Sequence, residues 1–127
     1  MSEPVLKAFV LCDAVTDTSG PDDQKDLHGA GLAVIRVSGS PPIKRTFWVY
    51  IEITHQQPAG SIRLSIMRAD SGRRLFFRQM PIEFRSQLQN TLVTIRIYDC
   101  LFPSRGVYFI ELWYDGVWLL DQRLEVI

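Results

Sequence analysis

The chain has 127 residues, 46% hydrophobic and 22% charged, a balance that fits one folded domain over residues 1–127 and excludes an intrinsically disordered chain. Fourteen Lys and Arg offset fourteen Asp and Glu, so no nucleic acid partner is expected, because polyanion binders carry a basic excess. No run reaches the ~18 apolar residues of a transmembrane helix, so no membrane insertion is expected, and Met1-Ser2-Glu3-Pro4 lacks the basic start of a leader, which points to a cytoplasmic location.

Glycine and proline punctuate the chain at 20–21, 39–42, 57–60, 71–72, 103–106 and 115–116, with β-branched and aromatic segments between them. That spacing predicts an all-β fold, an antiparallel β-sandwich of seven to nine strands, immunoglobulin-like or C2-like. Val5–Cys12 and residues 32–37 are apolar on both faces and are expected to be covered strands. Residues 13–26 are polar and read as an acidic loop. In 46–54, Phe47, Val49, Ile51 and Ile53 share one face, and Trp48 and Tyr50 take the other. Ile62, Leu64 and Ile66 alternate in the same way, as do Val93, Ile95 and Ile97. A period of two with one apolar side predicts strands lying on a core. Ser71-Gly72 predicts a turn into 73–78, an edge strand protected by its charge. Residues 81–90 fit a strand end, a loop or one helical turn.

The closing hairpin turns at Asp115-Gly116. A two-residue turn would send Trp118 and Leu120 away from the face of Leu112 and Ile110. A three-residue loop with Gly116 in a bulge position brings all four to one face, and is the expected geometry.

The order of these motifs resembles that of small bacterial proteins of the domain of unknown function 6941 family. The similar parts are Phe9-Val10-Leu11-Cys12-Asp13, then Leu27-His28-Gly29, then Phe47-Trp48-Val49-Tyr50-Ile51-Glu52. The end, from Phe102-Pro103-Ser104-Arg105-Gly106 through Asp115-Gly116, resembles that family's closing hairpin. The resemblance implies a compact β-sandwich and no known activity, and it carries over no catalytic residue.

Chemistry-bearing motifs are sparse. Cys12 and Cys100 lie in no Cys-x-x-Cys pair, and there is no Gly-x-Ser-x-Gly, no His-Glu-x-x-His and no phosphate-cradling loop. His28 and His55 read as polar strand-end residues, so no enzyme and no cofactor are expected. Asp13, Asp17, Asp22, Asp23 and Asp26 offer the oxygen ligands that calcium takes, in the manner of a C2-like domain. Their spacing matches no EF-hand, however, and Lys25 interrupts it. No metal is expected, and a solvated loop is the default reading.

Charge is segregated: residues 1–30 carry a net −4, and residues 63–105 a net +5 supplied by arginines alone. Arginine suits interfaces because its planar guanidinium forms bidentate bonds and stacks on rings. Phe109 and Trp113 lie opposite Tyr108 and Leu112, as Trp48 and Tyr50 lie opposite Phe47. One of these two aromatic sets is expected to be ordinary core. The leading expectation is a non-catalytic interaction module that binds a protein partner or forms a homo-oligomer. Its candidate residues are Arg73, Arg74, Arg78, Trp48, Tyr50 and Trp113. The alternative is a small-ligand or carbohydrate binder using Trp48, Tyr50 and Trp113.

Overall fold

The computed structural model describes residues 4–17, 25–54, 59–83 and 91–127. Ten strands lie among them. They are β1 (Val5–Cys12), β2 (Ala14–Asp17), β3 (Lys25–His28), β4 (Val34–Ile35), β5 (Ile43–Thr54), β6 (Ala59–Arg68), β7 (Arg74–Glu83), β8 (Thr91–Phe102), β9 (Gly106–Tyr114) and β10 (Val117–Val126). The fold is all-β, but the count of ten corrects the expected seven to nine. The additions are short: β2 and β3 form a separate two-stranded ribbon, and β4 has only two residues. The polar stretch 13–26 is therefore partly paired strand, because Val15 and Leu27 face each other across the ribbon.

Two sheets carry the rest, one in the order β1-β5-β8 and one in the order β4-β10-β9-β6-β7. Their pairs are antiparallel except for β4, which runs parallel to the end of β10. Alternation explains what each strand buries. Phe47, Val49, Ile51 and Ile53 of β5 are fully buried, as are Ile62, Leu64 and Ile66 of β6. With Ile95, Ile97, Tyr108, Ile110 and Leu112 they belong to one hydrophobic core shared by both sheets. Each such side chain contributes about 1.5–3 kcal/mol by leaving water. Tyr108 also packs edge-on against Phe102 at 5.0 Å, and its hydroxyl donates to the Ser104 carbonyl at 2.7 Å.

Several expectations change. Val5–Cys12 is an edge strand, and only Leu11 and Cys12 in it are buried. Cys12 sits opposite Trp48, on the outward side of its sheet, and the next residue, Asp13, closes the base of the ribbon by donating its N–H to His28 O at 2.8 Å. Residues 32–37 shrink to β4, where Ile35 alone is buried. Pro81, Ile82 and Glu83 end β7, and residues 84–90 lie outside the described residues.

The closing hairpin uses a two-residue turn after all. Tyr114 pairs with Val117 across Asp115 and Gly116, both at positive φ (45° and 81°), the conformation of a type I′ turn. The parity change still occurs, through a bulge between Trp118 and Leu120 that brings Leu120 opposite Leu112. Trp118 stays outside the bulge, faces Trp113 and is 50% exposed, so it is not a core residue. Nor is either outward aromatic set core: Trp48, Tyr50, Phe109 and Trp113 are all half-buried on outer faces. The buried rings are those of Phe47, Phe102, Tyr108 and Tyr114 instead.

Candidate interaction surface

The outer face of the five-stranded sheet gathers aromatic and arginine side chains by register alone. Strand pairing places Trp118 of β10, Trp113 of β9, Arg63 of β6 and Gln79 of β7 in one row across four strands. The next row runs Asp121, Glu111, Ser65, Phe77. Directly opposed residues share a face about 5 Å apart, so each row lines its side chains up on one face of the sheet.

Arg63 stacks its guanidinium 4.7 Å from the centre of the Trp113 ring. Trp113 donates its indole N–H to Glu111 Oε2 at 3.1 Å, which fixes the ring in place. Arg74 repeats the motif over Phe77 at 4.8 Å, and Phe77 is 45% exposed. Stacked arginine keeps its charge and its donors while it covers the ring, and such a pair contributes ~0.5–1 kcal/mol at exposed sites.

The six residues expected to bind a partner do not converge. Arg73 lies in the turn before β7, Arg74 starts that strand, and Arg78 sits in its middle. Arg78 is opposite Leu64, at an inward register position, yet it is exposed because β7 is the sheet's edge. Trp113 belongs to the outer face of the same sheet. Trp48 and Tyr50 lie on β5 in the other sheet, with the core between. No one small ligand can therefore touch Trp48, Tyr50 and Trp113 together. On that second face Trp48 lies opposite Arg96, and Arg96 stacks 5.0 Å from the Tyr98 ring.

Three residues of these rows were not legible as site residues: Arg63, Phe77 and Trp118. Trp118 was hidden by the loop parity, and Phe77 by the charges around it. Arg63 carried the only available signal, since its alternation with Ile62 and Leu64 points it outward.

Charge on this sheet is lopsided. Arg68 pairs with Asp70 at 2.7 Å and also donates to Ser104 Oγ. Arg123 meets Glu125 at 3.4 Å. Arg63, Arg73, Arg74 and Arg78 make no ion pair among the described residues.

The acidic stretch separates as well. Asp13 pairs with Arg45, Asp17 ends β2, and Asp26 lies exposed in β3, while Asp22 and Asp23 fall outside the described residues. No group of three His, Cys, Asp or Glu side chains able to hold a metal occurs among the described residues. Both cysteines are free and buried. Burial pushes the Cys100 thiol up to about 11. Cys12 is raised too, by burial first and then by the charge of Asp13. A nucleophilic cysteine needs the opposite shift.

A model of the DUF6941 family, described as a family of unknown function, matches residues 7–127. The chain belongs to that family. The match takes in every strand but the first residues of β1, so the unit the family shares includes both sheets and the outer face just described. Comparison with curated proteins finds no match. Among the described residues of this DUF6941 chain, no helix is long and apolar enough to cross a membrane.

Proposed function

We propose that this DUF6941 chain is an immunoglobulin-like, non-catalytic module of the cytoplasm that binds a protein partner through its five-stranded sheet. The observation that carries the reading is the row Trp118–Trp113–Arg63, with Arg63 stacked on Trp113 and Trp118 half exposed. Aromatic and arginine side chains are the residues enriched where interfaces concentrate their energy. Strand order supports the immunoglobulin-like over the C2-like form. The order β10-β9-β6-β7 corresponds to G-F-C-C′ of a variable-type domain, and β1-β5-β8 to A-B-E. The Tyr108 hydroxyl bonded back to Ser104 near the start of the penultimate strand is the corresponding tyrosine corner. Two free thiols suit a reducing compartment.

The test compares capture of interacting proteins from the native cell by wild type, Arg63→Ala/Trp113→Ala and Tyr50→Ala. One protein should be retained by wild type and Tyr50→Ala and lost with the double variant. Capture indifferent to the double variant refutes the reading, as does tryptophan quenching by a glycan or metabolite at micromolar concentration.

A further inference from the structure

The strand β7 differs from its neighbours in two respects. It ends the sheet, so β6 is the only strand that pairs with it among the described residues. It is also open to water: Arg74, Phe77, Arg78, Gln79, Pro81 and Glu83 are exposed, whereas β9 two places inward has no exposed residue. Its far side therefore presents main-chain N–H and C=O groups with no ladder partner among the described residues, the arrangement that accepts an added strand.

We infer that the free edge of β7 binds an extended acidic segment of a partner protein as a sixth strand. This rests on the reading of the sheet as an interaction surface and names the partner's chemistry. Charge selects the occupant. Arg73, Arg74 and Arg78 fringe the edge, all exposed and in no ion pair among the described residues, while Glu83 lies at the far end of the strand. The bulge between Ile66 and Met67 puts Arg74 in register with outward Met67, whereas Arg78 is in register with inward Leu64. A strand lying beside them meets a cation on each of its faces.

Arg78 disfavours pairing with a second copy of this chain. An antiparallel β7–β7 pair centred on Arg78 would set the two Arg78 side chains opposite each other on one face, a destabilising like-charge pair. A carboxylate opposite the same position turns that repulsion into an ion pair.

A fluorescein-labelled peptide of three Glu-Val-Thr repeats tests this, because that period places glutamates alternately on both faces of a strand. Anisotropy should report saturable binding that weakens about tenfold or more with Arg74→Glu/Arg78→Glu and falls with salt. A Lys-Val-Thr peptide should not bind, and N-methylation along one edge of the acidic peptide should abolish binding. Hydrogen exchange of the wild-type protein should slow at residues 74–80 when the acidic peptide is added. This arm needs no variant to fold. Absence of binding at millimolar peptide, equal binding of the lysine peptide, or protection confined to 107–113 overturns the inference. If partner capture still depends on Arg63 and Trp113 in that event, the broader reading stands and strand addition alone fails.

Discussion

Gly60 offers a substitution whose sign the structure reverses. A glycine inside a strand is ordinarily a weak point, and alanine should gain ~0.5–1 kcal/mol by restricting the unfolded chain. In β6, however, a Cβ built on Gly60 would overlap the hydroxyl and Cζ of Tyr114 and come within 2.9 Å of its Cε2. Tyr114 cannot swing aside easily, since its ring is 2% exposed and belongs to the shared core. Overpacking of this kind costs ~1–3 kcal/mol, so the net expectation for Gly60→Ala is a loss of about 1–2 kcal/mol. Unfolding entropy of ~2.1 cal/mol/K per residue makes each kcal/mol worth about 4 °C in a chain of this length, hence a fall in Tm of roughly 4–8 °C. Scanning calorimetry of wild type, Gly60→Ala, Tyr114→Leu and the double variant forms the decisive cycle. With the ring gone, the added methyl should be neutral or stabilising, giving a coupling of roughly 1–3 kcal/mol between the two sites. Additivity within about 0.5 kcal/mol refutes the steric argument.

Three further outcomes follow from the same structure. Because burial raises Cys100 to about 11, its stabilising contribution is complete below its ordinary value of 9.0 and drains away as pH climbs to the folded value. That shift is worth ~2.7 kcal/mol, so denaturant titrations should show wild type losing about 2–3 kcal/mol more than Cys100→Ala between pH 8 and 11. Parallel pH curves would sink the assignment. Asp115 holds φ at 45°, accepts the Ser61 N–H on its carboxylate at 2.8 Å and donates its own N–H to Ser61 O at 2.9 Å. Asp115→Ala should lower the unfolding free energy by ~1–2 kcal/mol and Asp115→Asn by much less, whereas Asp115→Ala as stable as wild type would show that the carboxylate bond adds nothing. Millimolar calcium should leave Tm unchanged against chelator, since Asp13 is engaged by Arg45. A rise of roughly 5–10 °C abolished by Asp22→Asn/Asp23→Asn would contradict that.

Alternation made the central strands legible. Phe47, Val49, Ile51 and Ile53 declare a buried face because each lies two residues from the next, and the same holds for Ile62, Leu64 and Ile66. Leu11 and Cys12 misled for a physical reason: two buried residues at one end of an edge strand look, in sequence, like burial of the whole strand within a sheet. The hairpin argument identified a real need, a change of parity before Leu120, but the chain meets it at Leu119 rather than in the turn. The surface was harder to read. Whether Trp48 and Trp113 share a sheet depends on which strands pair, and that is decided by the core, far from either residue. Arg63 could be pointed outward from sequence, but its seat on Trp113 required the β6–β9 register.

The bulge at Leu119 has a consequence for how this hairpin can vary. It acts as an expansion joint between the tip and the core: residues 120–126 keep their alignment with 106–112 while 113–118 follow a separate count. Lengthening the turn by one residue and deleting Leu119 would leave Leu120 opposite Leu112 and Leu124 opposite Tyr108, with the extra length spent entirely at the tip. The chain thus has a place where the hairpin tip can be rebuilt, by selection or by a protein engineer, without re-threading the interior beneath it.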